Sequence, residues 1–204
     1  MSETSISAVG VTAVAPATPT APALALRQWH ERDIPALVAA HRDVVMRRWL
    51  NRPVDDEGAA RIRLDEQRAA WAEGTRFNLA VVELAEGATG EDPAQLAAAV
   101  ELDPIGSVSI RRLDKRFDVA EVGYWVAAPA RGRSVAPRAM QAALDWAVEL
   151  WRREPLRRFE LIHTIGNDAS CRVAQKLGFA LEEELAPSVK WPEPGHLHVR
   201  PFAG

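Results

Sequence analysis

Cysteine occurs once, at Cys171, in a chain of 204 residues. A single thiol excludes an intramolecular disulfide and any zinc centre built from several thiolates. Long apolar runs are also missing, since none approaches the ~20 residues that a membrane-spanning helix needs. No membrane is therefore expected among the partners. The first basic residue is Arg27, and Pro16, Pro19 and Pro22 break the stretch before it, which argues against a secretory signal. Charge of one sign is not in excess: 25 Lys and Arg face 28 Asp and Glu, and no like-charge block exceeds Glu182, Glu183 and Glu184. Nucleic-acid binding through phosphate contacts is thereby disfavoured, and a reducing cytoplasm is the expected compartment.

What is present is enough for a core: 48% of residues are hydrophobic and seven are Trp. Residues 1–22, almost uncharged and rich in Ala, Thr and Pro, read as a disordered leader, and residues 23–204 as one domain without internal repeats. Leu24 to Trp29 alternates as a short half-buried strand. Asp33 offers a cap to a helix that the spacing of Ile34, Leu37, Val38, His41, Val44 and Val45 carries to about Trp49. A second helix is predicted from Asp55 or Asp56 to just before Gly74. Strands follow at Phe77 to Val82 and Ile105 to Ile110, with part of the connection, Leu96 to Leu102, read as a strand extension. Glu121 to Val126 is the clearest strand.

That strand leads through Pro129 and Ala130 into Arg131, Gly132, Arg133, Ser134, Val135 and Ala136, then into a helix with Ala136, Met140, Ala143, Ala147 and Leu150 on one stripe. A helix start has unpaired N–H groups and partial positive charge, so a loop of small residues leading into it can hold a pyrophosphate. Pro137 removes one donor from that set. Leu156 to Thr164 reads as the next strand, and Asn167 caps a helix carrying Ser170, Val173, Ala174 and Leu177, closed by Gly178 and Phe179.

The succession EVGYWV, RGRSVA, RFELIHT and NDASCRVAQKLGF resembles the GNAT superfamily of acetyl-CoA-dependent N-acetyltransferases, in particular its ribosomal-protein N-terminal acetyltransferase branch. The branch's Asn-x-x-Ser-x-x-Val-x-x-Lys-x-Gly-Phe run falls on Asn167, Ser170, Val173, Lys176, Gly178 and Phe179, with Gln175 where Glu is usual; its Leu-Arg-x-Trp opening falls on Leu26 to Trp29. The resemblance implies an α/β fold (α+β) with a mixed, mostly antiparallel central sheet flanked by helices and splayed between the Glu121 and Phe159 strands. It also implies acetyl-CoA as co-substrate and a primary amine as acceptor, either a protein N-terminus or a small molecule, with a homodimer left open. Arg131, Ser134 and Ala136 fall on the family's loop pattern, and Ser134 replaces its central glycine.

On this resemblance the coenzyme site is Val126, Ala127, Arg131, Gly132, Arg133, Ser134, Val135, Ala136, Asn167 and Ser170. A backbone N–H at Val126 or Ala127 polarises the thioester carbonyl, Glu121 takes the amine proton, and Ser170 sits near the thiolate. Ser134 also supports the alternative of a catalytically degenerate coenzyme-binding or interaction domain. His163 is a lesser candidate base. The tail bearing His196 and His198 reads as irregular because of Pro192, Pro194 and Pro201, and without a cysteine or carboxylate partner these two give no metal site. Trp29, Trp49 and Trp71 belong to segments that wall the acceptor site in the family, although such spacing also describes core.

Overall fold

The computed structural model describes residues 10–50, 52–113, 116–188 and 192–202. Leu24–Gln28 (β2), Arg76–Glu83 (β3), Gly106–Leu113 (β4) and Arg116–Val126 (β5) form an antiparallel meander. Alternation assigns their faces: Leu24, Leu26, Phe77, Leu79 and Val81 join one core cluster, while Ala23, Ala25, Ala80 and Val82 join clusters on the opposite face. Both faces of β2 are covered, so the half-buried expectation is corrected.

Five residues of the supposed leader form Val11–Ala15 (β1), paired antiparallel with β2. Val11, Ala13 and Ala15 are buried alternately, and composition hid this because small side chains make little periodic contrast. Residues 1–9 of the leader lie outside the described residues.

The first predicted helix is two helices, Ile34–His41 (α1) and Val44–Arg47 (α2). Asp43 interrupts it by capping the second, its carboxylate accepting from Met46 N at 2.6 Å, and this turns Val44 and Val45 to solvent. Glu57–Ala72 (α3) follows, capped by Asp56. Leu96 to Leu102 is not a strand extension; Asp92 caps the helix Pro93–Ala99 (α4).

Val135–Trp151 (α5) crosses from β5 to Arg158–Thr164 (β6), which makes β5–β6 the parallel pair of the sheet. Its buried stripe is Val135, Ala139, Met140, Ala143, Ala147 and Trp151, shifted from the predicted one, which included the exposed Leu150. Asp168–Lys176 (α6) ends in a Schellman motif: Gly178 takes φ 73°, Gly178 N donates to Gln175 O at 3.1 Å, and Phe179 N to Ala174 O at 3.0 Å. The tail is not irregular. Ala180–Leu185 (β7) and Gly195–Pro201 (β8) extend the sheet, with β8 between β6 and β7 in the order β1-β2-β3-β4-β5-β6-β8-β7.

The Leu-Arg-x-Trp opening has a packing cause. Arg27 and Asp33 are fully buried and paired bidentately at 2.7 and 2.9 Å, and Arg27 also donates to the carbonyls of Gln28, Ala99 and Leu102. This ties the start of α1 and the end of α4 to the sheet. Removing one partner of such a pair leaves an uncompensated buried charge, at a cost of about 3–5 kcal/mol.

Candidate active site

β5 and β6 pair only over Val119–Val122 with Arg158–Leu161. Beyond that, β5 follows β4 while β6 follows β8, and the strands splay around a cleft of about 600 Å3. Ala127 N donates to Ile105 O at 2.9 Å, so the backbone groups of Ala127 and Trp125 face β4. Strand alternation then turns the N–H of Val126 and of Tyr124 to the open side. Of the two expected carbonyl-polarising donors, Val126 faces the cleft, and the N–H of Ala127 is used in the sheet.

Gly132, Ser134, Val135 and Ala136 line the cleft at the start of α5. Gly132 has φ 78°, and Ser134 has φ 56° and ψ 23°, a left-handed conformation that costs a residue with a Cβ about 1–2 kcal/mol. Among the described residues, no backbone carbonyl receives the N–H of Gly132, Ser134, Val135 or Ala136. The arrangement is a concave set of donors at a helix start, suited to phosphate oxygens.

The two loop arginines are placed differently from each other. Arg131 lines the cleft, but its Nε donates to Val126 O at 3.1 Å and its Nη2 to Asp43 Oδ1 at 3.0 Å. Asp43 is held below the usual carboxylate range, first by the Met46 N–H and then by Arg131. Arg133 is outside the lining and pairs with Glu83.

Asn167 caps α6, accepting from Ser170 N at 3.3 Å, and both residues line the cleft. The Ser170 hydroxyl acts on the Tyr124 phenol to lower its pKa, but burial is the larger effect and raises it. Glu121 is placed elsewhere. The lining of β5 runs from Val122 to Val126, and the Glu121 carboxylate accepts from Arg111 Nη2 at 2.6 Å.

The other half of the cleft is walled by Trp29 and Trp49, whereas Trp71 packs in the core against Phe77 and Trp146. Trp125 lies between Trp29 and His41, with ring centroids 5.9 and 5.5 Å away. Burial, followed by Arg63 and Arg47, lowers the His41 pKa to about 4. Its Nδ1 accepts from Val54 N at 3.0 Å, so the neutral ring carries its proton on Nε2. Among the described residues, His41 Nε2, Arg76 Nε and Asn78 Nδ2 are buried donors without a hydrogen-bond partner, and all three residues line the cleft. Sequence reasoning missed them, although Asn78 inside the apolar run FNLAVV was a visible signal.

At the β6 side of the cleft, which His163 lines, the tail histidines have the cysteine neighbour that the sequence did not show. His196 lies directly across from His163 on β8, His198 is two residues further on the same face, and Cys171 of α6 covers them. Burial lowers the pKa of His163 and of His198 and raises that of Cys171.

The family pattern described as an acetyltransferase (GNAT) domain matches residues 23–180, and the chain belongs to this GNAT acetyltransferase family. The ribosomal-protein-serine acetyltransferase of Escherichia coli (strain K12) is 32% identical over 78 residues, which is 38% of this chain and 42% of that protein. YdaF of Bacillus subtilis (strain 168) is 32% identical over 81 residues, 40% of this chain and again 42% of the relative, so the chain matches about two-fifths of each protein's length. Among solved structures, RimL, a ribosomal L7/L12 alpha-N-protein acetyltransferase in complex with coenzyme A, superposes with TM-score 0.71 at 19% identity, covering 93% of this chain and 98% of its own. Mycobacterium smegmatis RimJ in complex with CoA-disulfide also gives 0.71, at 18% identity, covering 93% and 87%. At these identities the structures show the shared fold.

Proposed function

We propose that the chain transfers the acetyl group of acetyl-CoA to a primary amine by direct attack, and that the acceptor is the α-amine of a protein N-terminus, met in the cytoplasm. The observation that carries this is the splayed cleft, where the open N–H of Val126 and the donors at the start of α5 lie along one wall. The N–H groups of Gly132, Ser134, Val135 and Ala136 hold the pyrophosphate, and Asn167 binds the pantetheine arm. Val126 N–H stabilises the oxygen of the thioester carbonyl as the amine nitrogen bonds to carbon. The carbon–sulfur bond breaks, and the Ser170 hydroxyl, backed by Tyr124, hydrogen-bonds the departing sulfur, which leaves as the thiol once the amine proton has moved.

The acceptor class follows from energetics and from the unpartnered donors. An α-amine with a pKa of about 7.7–8.0 costs roughly 1 kcal/mol to deprotonate at neutral pH, against roughly 4–5 kcal/mol for a lysine. The cleft supplies no carboxylate from Glu121 by contact, so an acceptor that needs little deprotonation fits, and Glu121 enters only through water. His41 carries its proton on Nε2 and is not available as a base at that atom. Together with Arg76 and Asn78 it asks for carbonyl or carboxylate oxygens beside the reacting amine, which the backbone of a peptide N-terminus supplies.

The test is calorimetric titration with acetyl-CoA, followed by coenzyme release over a panel of peptide N-termini, polyamines and aminoglycosides. Release with peptides and not with the other amines is expected. Absence of binding at millimolar acetyl-CoA overturns the proposal, and binding without release across the panel favours the degenerate binding domain.

A further inference from the structure

We propose that His163, Cys171, His196 and His198 form a tetrahedral zinc site that staples β6, β8 and α6 together at the β6 wall of the cleft, which His163 lines. Their donor atoms lie within 4.8 Å of one another. Cys171 Sγ is 3.3 Å from His163 Nε2, 3.4 Å from His196 Nδ1 and 3.7 Å from His198 Nε2, and the two Nε2 atoms are 3.2 Å apart. Bonds of about 2.0–2.1 Å to nitrogen and about 2.3 Å to sulfur, set tetrahedrally, place donor atoms about 3.3–3.6 Å apart. The three sulfur–nitrogen pairs and the His163–His198 pair stand close to that spacing, at 3.2 to 3.7 Å, and every pair lies within 4.8 Å.

His163 is also oriented from outside the cluster. His163 Nδ1 lies 2.9 Å from Thr164 O, which fixes the proton on Nδ1 and leaves the Nε2 lone pair directed at the cluster. The Glu184 carboxylate is 3.8 Å from His196 Nε2, beyond hydrogen-bond reach, so it supplies negative charge on that side without fixing the tautomer. Ligating histidines characteristically have their second nitrogen engaged in this way. Neutral imidazoles and one thiolate suit zinc, and four protein donors fill its shell, which makes the site structural rather than catalytic. Binding releases the thiol proton of Cys171 to solvent, with no change of oxidation state.

The site adjoins the cleft, because His163 lines it, and an ion on His163 Nε2 removes that nitrogen from any role as a base. Ser170 lines the cleft while its neighbour Cys171 is outside the lining, so an ion on Cys171 fixes the first turn of α6 and with it Asn167 and Ser170.

The full chain, stripped of metal with a chelator at neutral pH, is titrated with Co2+ and then Zn2+. One equivalent of Co2+ is expected to give a thiolate-to-cobalt charge-transfer band with the intense visible bands of tetrahedral geometry, and Zn2+ to displace it. Zinc should also slow alkylation of Cys171 at least ~10-fold, a clean readout because the chain has one thiol. Cys171→Ser should lose the charge-transfer band and bind zinc at least ~100-fold more weakly, and His196→Gln should weaken binding while keeping the band at saturation. Folding of each variant is checked by circular dichroism; if neither folds, the cobalt spectrum and the alkylation rate of the unaltered chain decide. Failure of the folded chain to take up either ion, or uptake by Cys171→Ser equal to that of the unaltered chain, overturns the site.

Discussion

Arg131 and Asp43 join the two sides of the cleft: the guanidinium leaves the loop before α5, donates to Val126 O at 3.1 Å, and reaches the carboxylate that caps α2 at 3.0 Å. In these contacts Arg131 braces the loop, the end of β5 and the start of α2, while still lining the cleft. Arg131→Ala should therefore weaken coenzyme A and dephosphorylated pantetheine by similar factors and lower stability by about 1–2 kcal/mol, discounted for partial exposure. Calorimetry with both ligands checks this, and a loss confined to coenzyme A would return Arg131 to the phosphates.

Ser134→Gly removes a Cβ from a residue at φ 56°. Stability should rise by about 1 kcal/mol in denaturant titrations, and coenzyme affinity should stay the same or tighten. A tenfold loss, about 1.4 kcal/mol, would show that the hydroxyl binds phosphate.

His41 governs part of the acid response. Its pKa is lowered from 6.5 to about 4 on folding, so the neutral form is favoured in the native state. That stability is fully present above pH 6.5 and is lost as pH falls through the window down to 4, an upper figure of about 3 kcal/mol. His41→Gln keeps an acceptor for Val54 N and does not titrate. Its stability difference between pH 7 and pH 4 should be smaller than that of the unaltered chain; an equal difference would refute the role.

Glu121 and Ser170 should separate kinetically. Glu121→Gln is expected to slow turnover by less than ~10-fold, chiefly below the acceptor pKa, with recovery as pH rises and the amine arrives neutral. Ser170→Ala should slow it at every pH, modestly, because coenzyme A is already a fair leaving group. Rate–pH profiles with one peptide acceptor decide, and a loss from Glu121→Gln that is large and independent of pH would require direct contact with the amine.

Local signals determined much of this protein. The strand at Glu121–Val126, the helix start after Ser134, the Asn167 cap and the Gly178 exit depend on neighbours within a few residues, and these were legible because capping and alternation act at that range. Tertiary structure decided what short range cannot encode. Val11–Ala15 is a strand only because β2 offers it an edge, and Asp43 breaks a helix whose apolar spacing ran on. Glu121 and Arg111 meet through the β4–β5 register. Cys171, 25 residues before His196, joins the three histidines because β8 inserts beside β6 and α6 lies over both. Convergence of this kind depends on strand order and register, which follow from how the whole chain buries its apolar faces rather than from any local run of residues.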